Sequence, residues 1–271
     1  MYTLENGKLR VSILDPVKDR ERMGTRYCTG GYIFQVADDE LGDLMTGPTF
    51  PASFNPFDGQ GIPDAFNLSP LRDLGSVEAH ALVLGVGICD LVADEVVAFC
   101  DWQVSADASQ VSFATSHAFG AFAAELKRTV SLDSRTVTSR TELVNTGTRP
   151  MPLRWFPHPF YPHPDSDELI RLSVDVSFPE NPGYEMSPSG YVARKGWPWD
   201  QGHYQALDHG AREGLCIVQR HPTLGLVAAR CSFVPGFLPI WGNPNTFSWE
   251  PFLERTLAPG QSTSWWIAYD F

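Results

Sequence analysis

Two short segments carry the residue types that acid–base chemistry needs. In Arg154-Trp-Phe-Pro-His-Pro-Phe-Tyr-Pro-His-Pro, His158 and His163 each stand between prolines, which lock their own φ and restrict the residue before them. An imidazole held that rigidly can give or take a proton near neutral pH, and the rings around it can stack on the apolar face of a sugar. In Phe247-Ser-Trp-Glu-Pro-Phe, Glu250 stands among aromatic side chains. Removal from water there would raise its pKa, the condition for a general base. Taken one at a time, a packed structural histidine and a solvated strand-end glutamate are the plainer readings, because imidazole is intermediate in burial and carboxylates are mostly exposed.

Other patterns point less sharply. Trp197 and Trp199 lie in an aromatic loop and either meet sugar C–H groups or form the loop's own core. The tract Asp165-Ser-Asp-Glu offers hard oxygen donors but lacks the glycine and spaced ligands of a calcium loop, so it reads as a solvated turn. His158, His163 and Asp165 do not match a recognised metal spacing. The five cysteines, Cys28, Cys89, Cys100, Cys216 and Cys231, are odd in number and scattered, with no C-x-x-C pair, and read as buried free thiols.

The elements that must position these residues are strands. Alternation of period two runs through 111–115, 126–132, 136–144 and 169–176, the mark of half-buried antiparallel strands. Further strands are expected at 32–36, 81–91, 96–100, 215–219, 224–231, 237–241 and 265–271. Asp133-Ser-Arg reads as a hairpin turn, and Asn145-Thr-Gly-Thr-Arg-Pro ends the next run. The 23 glycines and 22 prolines are spread along the chain, and no dozen residues hold a helical stripe without one of them. The pattern predicts an all-β protein, a large antiparallel two-sheet sandwich formed by 1–271 as one domain. Short helical turns are expected only in the Pro-, Gly- and aromatic-rich stretches 46–74 and 179–210, long loops of the kind that carry ligand contacts.

Composition narrows the partners. Of 271 residues, 43% are hydrophobic and 19% charged, a balance suited to a globular core. With 32 acidic against 20 basic side chains the net charge is −12, which disfavours nucleic acid and anionic lipid as partners. No apolar run reaches the length of a membrane span. The N-terminal Met1-Tyr-Thr-Leu-Glu-Asn-Gly-Lys has no basic start or apolar stretch of a secretory signal, and the expectation is a cytoplasmic protein.

The order of Gly30-Gly-Tyr-Ile, Val144-Asn-Thr-Gly, His158-Pro-Phe-Tyr, Ser248-Trp-Glu-Pro and Leu257-Ala-Pro-Gly-Gln resembles the aldose 1-epimerases, or galactose mutarotase-like proteins, over most of the chain. The resemblance implies a β-supersandwich with a carbohydrate cleft, and a small-molecule sugar as partner, with no metal or cofactor needed. It makes His158 the general acid and Glu250 the general base in opening the hemiacetal ring. These two should converge on one concave face with a gap wide enough for a pyranose, walled by Trp249, Phe160 or Trp197. His80 is the nearest counterpart of a second family histidine, although no glycine follows it, and Asp208, ahead of Asp200, is the counterpart of a substrate-binding aspartate. Where the family commonly carries an arginine, 54–64 has none. The close basic cluster, 18–26, sits near the N-terminus, and the reading favours an unphosphorylated sugar. A non-catalytic carbohydrate-binding or regulatory protein, and a sugar-active lyase or hydrolase on a similar sandwich, are the alternatives, because fold does not fix function.

Overall fold

Alternating burial dictates the largest element. Along the strand Phe122–Asp133, Phe122, Ala124, Leu126, Arg128, Val130 and Leu132 point inward while the intervening residues face outward, as a two-residue side-chain period requires. It pairs antiparallel with Gln110–Phe119 on one side and Thr136–Asn145 on the other, the latter through the expected turn, where Ser134 takes a positive φ of 52°. Ten strands join in this way in the computed structural model, which describes residues 1–73 and 79–271. The strand Ser262–Asp270 lies mid-sheet, between Thr136–Asn145 and Gly225–Cys231.

Shorter antiparallel sheets of two to four strands supply the facing layer. Tyr2 meets Phe113 of the large sheet edge-on, and Phe66 and Trp155 both meet its Trp265. Residues from Leu4 to Phe271 thus share one apolar core. The all-β expectation holds, with one layer continuous and the other divided into short sheets.

Three local expectations differ. The run 81–91 is not one strand but a hairpin, His80–Val83 and Gly87–Asp90. Gly85 and Gly87 have φ of +73° and +134°, and a Cβ on Gly87 would lie 2.0 Å from the Ala98 carbonyl oxygen, so the chain turns where only glycine fits. The run 169–176 divides into Glu168–Leu172 and Val176–Ser177. Among the described residues the one helical piece is the single turn Arg20–Arg22, outside both stretches expected to hold such turns; Leu74, the end of the first stretch, lies outside the described residues. No helix there is long and apolar enough to cross a membrane.

Candidate functional site

His158 follows the strand Met151–Pro157, which pairs with Leu253–Leu257 along one edge and meets Asp64–Ala65 at its far end. Because Pro157, Pro159, Pro162 and Pro164 lack N–H groups, the few remaining donors decide the path. The His158 N–H donates to the Pro63 carbonyl at 2.8 Å, that of Phe160 to Gly61 at 2.8 Å, and that of Tyr161 to Phe247 at 3.0 Å. Asp64 forms an ion pair with the fully buried Arg128 of the large sheet, tying this edge to the core.

Glu250 ends the hairpin Pro239–Asn243 and Thr246–Trp249, and its N–H donates to the Pro239 carbonyl at 2.9 Å. Strand alternation then sorts its neighbours. Trp249 points into the core, stacked with Tyr161 and Tyr269, so Ser248 and Glu250 share the opposite face. Both reach the same imidazole: Ser248 Oγ lies 3.0 Å from His158 Nδ1, and Glu250 Oε1 lies 3.2 Å from Nε2. In neutral imidazole with the proton on Nε2, the serine hydroxyl donates to Nδ1; in imidazolium, Nδ1 donates to the serine oxygen.

All three side chains are buried, and burial disfavours charge on each titratable one. It pushes the His158 imidazole well below its usual 6.5, with the Arg26 guanidinium adding in the same direction. It lifts the Glu250 carboxyl from 4.5 to about 7, against the opposing pull of Arg26. As pH falls, the carboxyl therefore takes up its proton near neutral pH, before the imidazole gains one.

The two residues form the floor of a cavity of about 580 Å³. Phe160 stacks on the imidazole at 4.2 Å, Trp241 approaches it edge-on at 5.9 Å, and Phe156, stacked on Phe252, completes the aromatic wall. Arg26, another lining residue, donates from Nη1 to the Phe57 carbonyl at 3.0 Å and lies over the Tyr27 and Phe57 rings. It supplies a cation that 54–64 lacks. Arg154, on the far wall, is held by Glu254 at 2.9 Å. Among the described residues no three His, Cys, Asp or Glu side chains come together as a metal site.

Of the residues singled out from sequence, His158, Glu250 and Phe160 line this cavity; His80, Asp208, Trp197 and Trp249 do not. His80 stands half-exposed on its hairpin, 3.8 Å from Asp90 on the adjoining strand. Asp208 is exposed on a two-residue strand paired with Val176–Ser177. Trp197 is taken up by Arg194, at 3.9 Å, and by His163, and Trp249 is turned inward. The expected gap between the acid and the base is also absent: His158 Nε2 and Glu250 Oε1 lie 3.2 Å apart. Sequence reasoning missed Asn67, Tyr204, Trp241 and Ser248, and named Arg26 only as the end of the basic cluster 18–26. For Ser248 the signal was available, two residues before Glu250 and therefore on its face of the strand.

No protein-family model matches the chain, and no curated protein sequence does. Among solved structures, the chain is similar to a putative aldose 1-epimerase from Escherichia coli K12, with 16% identity, TM-score 0.65, and coverage of 99% of this chain and 97% of that one. It is similar to the Slr1438 protein from Synechocystis sp. PCC 6803, at 15% identity and TM-score 0.59 over 99% and 94% of the two chains. A galactose mutarotase-like protein from Lactobacillus casei aligns at 16% identity and TM-score 0.56 over 100% and 99%. The fold is that of the galactose mutarotase-like proteins.

Proposed function

We propose that this protein, with its galactose mutarotase-like fold, interconverts the α and β anomers of an aldose by acid–base opening of the ring. The observation that carries the reading is the contact between His158 Nε2 and Glu250 Oε1 at 3.2 Å, buried at the floor of an aromatic-walled cavity. The hemiacetal hydroxyl O1 and the ring oxygen O5 share one carbon, so a sugar lying over the pair presents both atoms at once. A ring held between acid and base is not needed.

Glu250 carboxylate takes the O1 proton, the C1–O5 bond breaks with its electron pair on O5, and O5 takes the proton from His158 Nε2. An open-chain aldehyde remains, facing a carboxylic acid and a neutral imidazole. Rotation about C1–C2 and the reverse transfers close the ring on either face, and both groups return to their starting forms. Burial raises the carboxyl and lowers the imidazole, so the imidazolium–carboxylate form that opens the ring is the minor one, and the same preference draws the proton onto Glu250 as the ring opens. The dry walls strengthen every charge interaction within.

A second reading, a carbohydrate-binding or regulatory protein that keeps the cleft without turnover, is favoured by the placement of His80 and Asp208 away from the cavity. Exchange NMR on a panel of free aldoses tests the two. Cross-peaks between anomers above the spontaneous rate, lost in Glu250→Gln, support the epimerase; saturable binding without exchange selects the binding protein.

A further inference from the structure

The strand Asp64–Ala65 has two residues, too few to hold its place by ladder bonds alone, yet it sits between two segments that build the cavity. On one side it pairs with Phe156 and Pro157, and the adjoining Pro63 carbonyl accepts the His158 N–H at 2.8 Å. On the other, Ala65 bridges to Tyr27, and the Asp64 carbonyl accepts the Cys28 N–H at 2.7 Å. Tyr27 meets the His158 ring edge-on at 6.2 Å, and Arg26 beside it lines the cavity.

A side chain from the other layer anchors this strand. Arg128 stands on Phe122–Asp133, with ladder partners on both sides, and points inward. Its guanidinium donates to Asp64 Oδ2 and, at 2.9 Å, to Ser139 Oγ of the next strand. It passes Gly31, where φ is +76° and a Cβ would stand 3.3 Å from Nε, an approach that glycine suits. As a source of stability the pair is poor. Arg128 Nε and Nη1 and Asp64 Oδ1 find no partner among the described residues, and a buried ion pair recovers its desolvation cost only when such atoms are satisfied. One end of this costly contact is set in the middle of the large sheet, and the other lies beside the backbone that carries His158.

We infer that Arg128 is a positioning residue for the acid–base pair: through Asp64 it places the strand to which His158 is hydrogen-bonded, and so the contact of the imidazole with Glu250. The inference rests on the acid–base reading proposed above, in which a displacement of about 1 Å can cost roughly a hundredfold in rate.

The test uses the double substitution Arg128→Met with Asp64→Leu. Apolar side chains in place of a buried ion pair commonly leave a fold as stable or more so, so thermal unfolding should stay near wild type. Anomer exchange should nevertheless fall about ten- to a hundredfold in kcat, with KM within about threefold, the split expected when geometry at the reacting groups is lost. Arg128→Lys, which keeps the charge and loses the fork, should fall between. Imidazole nitrogen NMR shifts give a readout free of turnover: those of His158 should move in the double variant. Those of His163, held by the Asn243 carbonyl in the same segment, should not. A folded double variant with wild-type kcat and unmoved His158 shifts would overturn the assignment, and so would equal movement of both rings, the mark of general loosening. If the double variant does not fold, Ser139→Ala removes one of the two hydrogen bonds without uncovering a charge; a moved His158 shift then upholds the role and an unmoved one refutes it. If wild type exchanges no sugar, the acid–base reading fails by itself, and the same two ring shifts decide whether Arg128 positions the imidazole.

Discussion

His158 and His163 stand five positions apart in one proline-rich segment, and the structure uses them in opposite ways. Each is flanked by prolines, each packs on an aromatic ring at 4.2 Å, and burial lowers the pKa of each, that of His163 to about 4. His163 is enclosed by Trp197 and Trp199, its Nε2 donates to the Asn243 carbonyl at 2.8 Å, and its Nδ1 has no partner among the described residues. That carbonyl fixes one neutral tautomer, and among the described residues no carboxyl is paired with the ring. His158 instead has a hydroxyl on one nitrogen and a carboxyl on the other, with open space above. Burial takes the charge from both rings; a carboxyl partner facing a cavity is what makes one of them a candidate acid.

The largest expected effect separates the two directly. Glu250→Gln keeps the shape of the carboxyl but cannot take the O1 proton, and exchange should fall about a hundred- to ten-thousandfold with sugar binding largely retained. His158→Asn should fall similarly. His163→Asn should leave exchange within a few-fold and show its cost in urea unfolding instead, on the order of 1–3 kcal/mol for the lost packing and hydrogen bond. Comparable losses of exchange in the His158 and His163 variants would erase the distinction.

The pH profile sharpens it. Opening the ring needs the pair to carry one proton beyond neutral imidazole and carboxylate, and that proton leaves near the Glu250 pKa of about 7. Catalysed exchange, corrected for the spontaneous rate, should fall about tenfold per pH unit above that point. A profile that rises through pH 7 to 8 would assign the proton differently.

Stability should respond to the two regions with opposite signs. For Glu250, whose folded pKa is raised, the native state holds more protons than the unfolded one between pH 4.5 and about 7, so its contribution is complete below 4.5 and is lost as pH rises through 7. For His163, lowered from 6.5 to about 4, the unfolded state holds more protons, so stability is present above 6.5 and lost as pH falls toward 4. Each shift corresponds to about 3 kcal/mol as an upper figure. Urea titrations should show Glu250→Gln flattening the alkaline side and His163→Asn the acid side; an unchanged slope in either variant refutes that assignment.

The smallest effect belongs to Ser248. Ser248→Ala removes the group that orients the imidazole without touching sugar, and exchange should fall roughly tenfold, one hydrogen bond's worth. The fall should appear in kcat more than in KM, with the pH midpoint displaced. Ser248→Thr, which keeps the hydroxyl, should recover most of the rate; if it recovers none, the serine serves packing rather than orientation.

Much of the large sheet was legible because its strands bury alternate residues, and His158 and Glu250 were legible because aromatic and proline neighbours surround them. Met151–Pro157, the strand that delivers His158, was not: it carries Pro152 and Pro157, and its alternation ends at Trp155, from which consecutive residues are buried. Arg26 reaches the cavity through tertiary pairing of Tyr27 with Ala65, which no local pattern reports. The rule that revealed the large sheet also bears on Trp249, since a residue adjacent to Glu250 on a strand must face the other way. His80 and Asp208 came from resemblance alone, without a local pattern that would place them in the cleft.

The mid-sheet position of Ser262–Asp270 has a consequence for how the protein is made. Its neighbours are Thr136–Asn145, synthesised more than a hundred residues earlier, and Gly225–Cys231. Until this strand leaves the ribosome, those two blocks of sheet have no hydrogen-bonded seam and each presents an open edge, the kind of surface that recruits strands from other chains. Nascent chains stalled before residue 262 should bind holdase chaperones and resist native compaction, and a release of about ten more residues clear of the exit tunnel should close the sheet in one cooperative step.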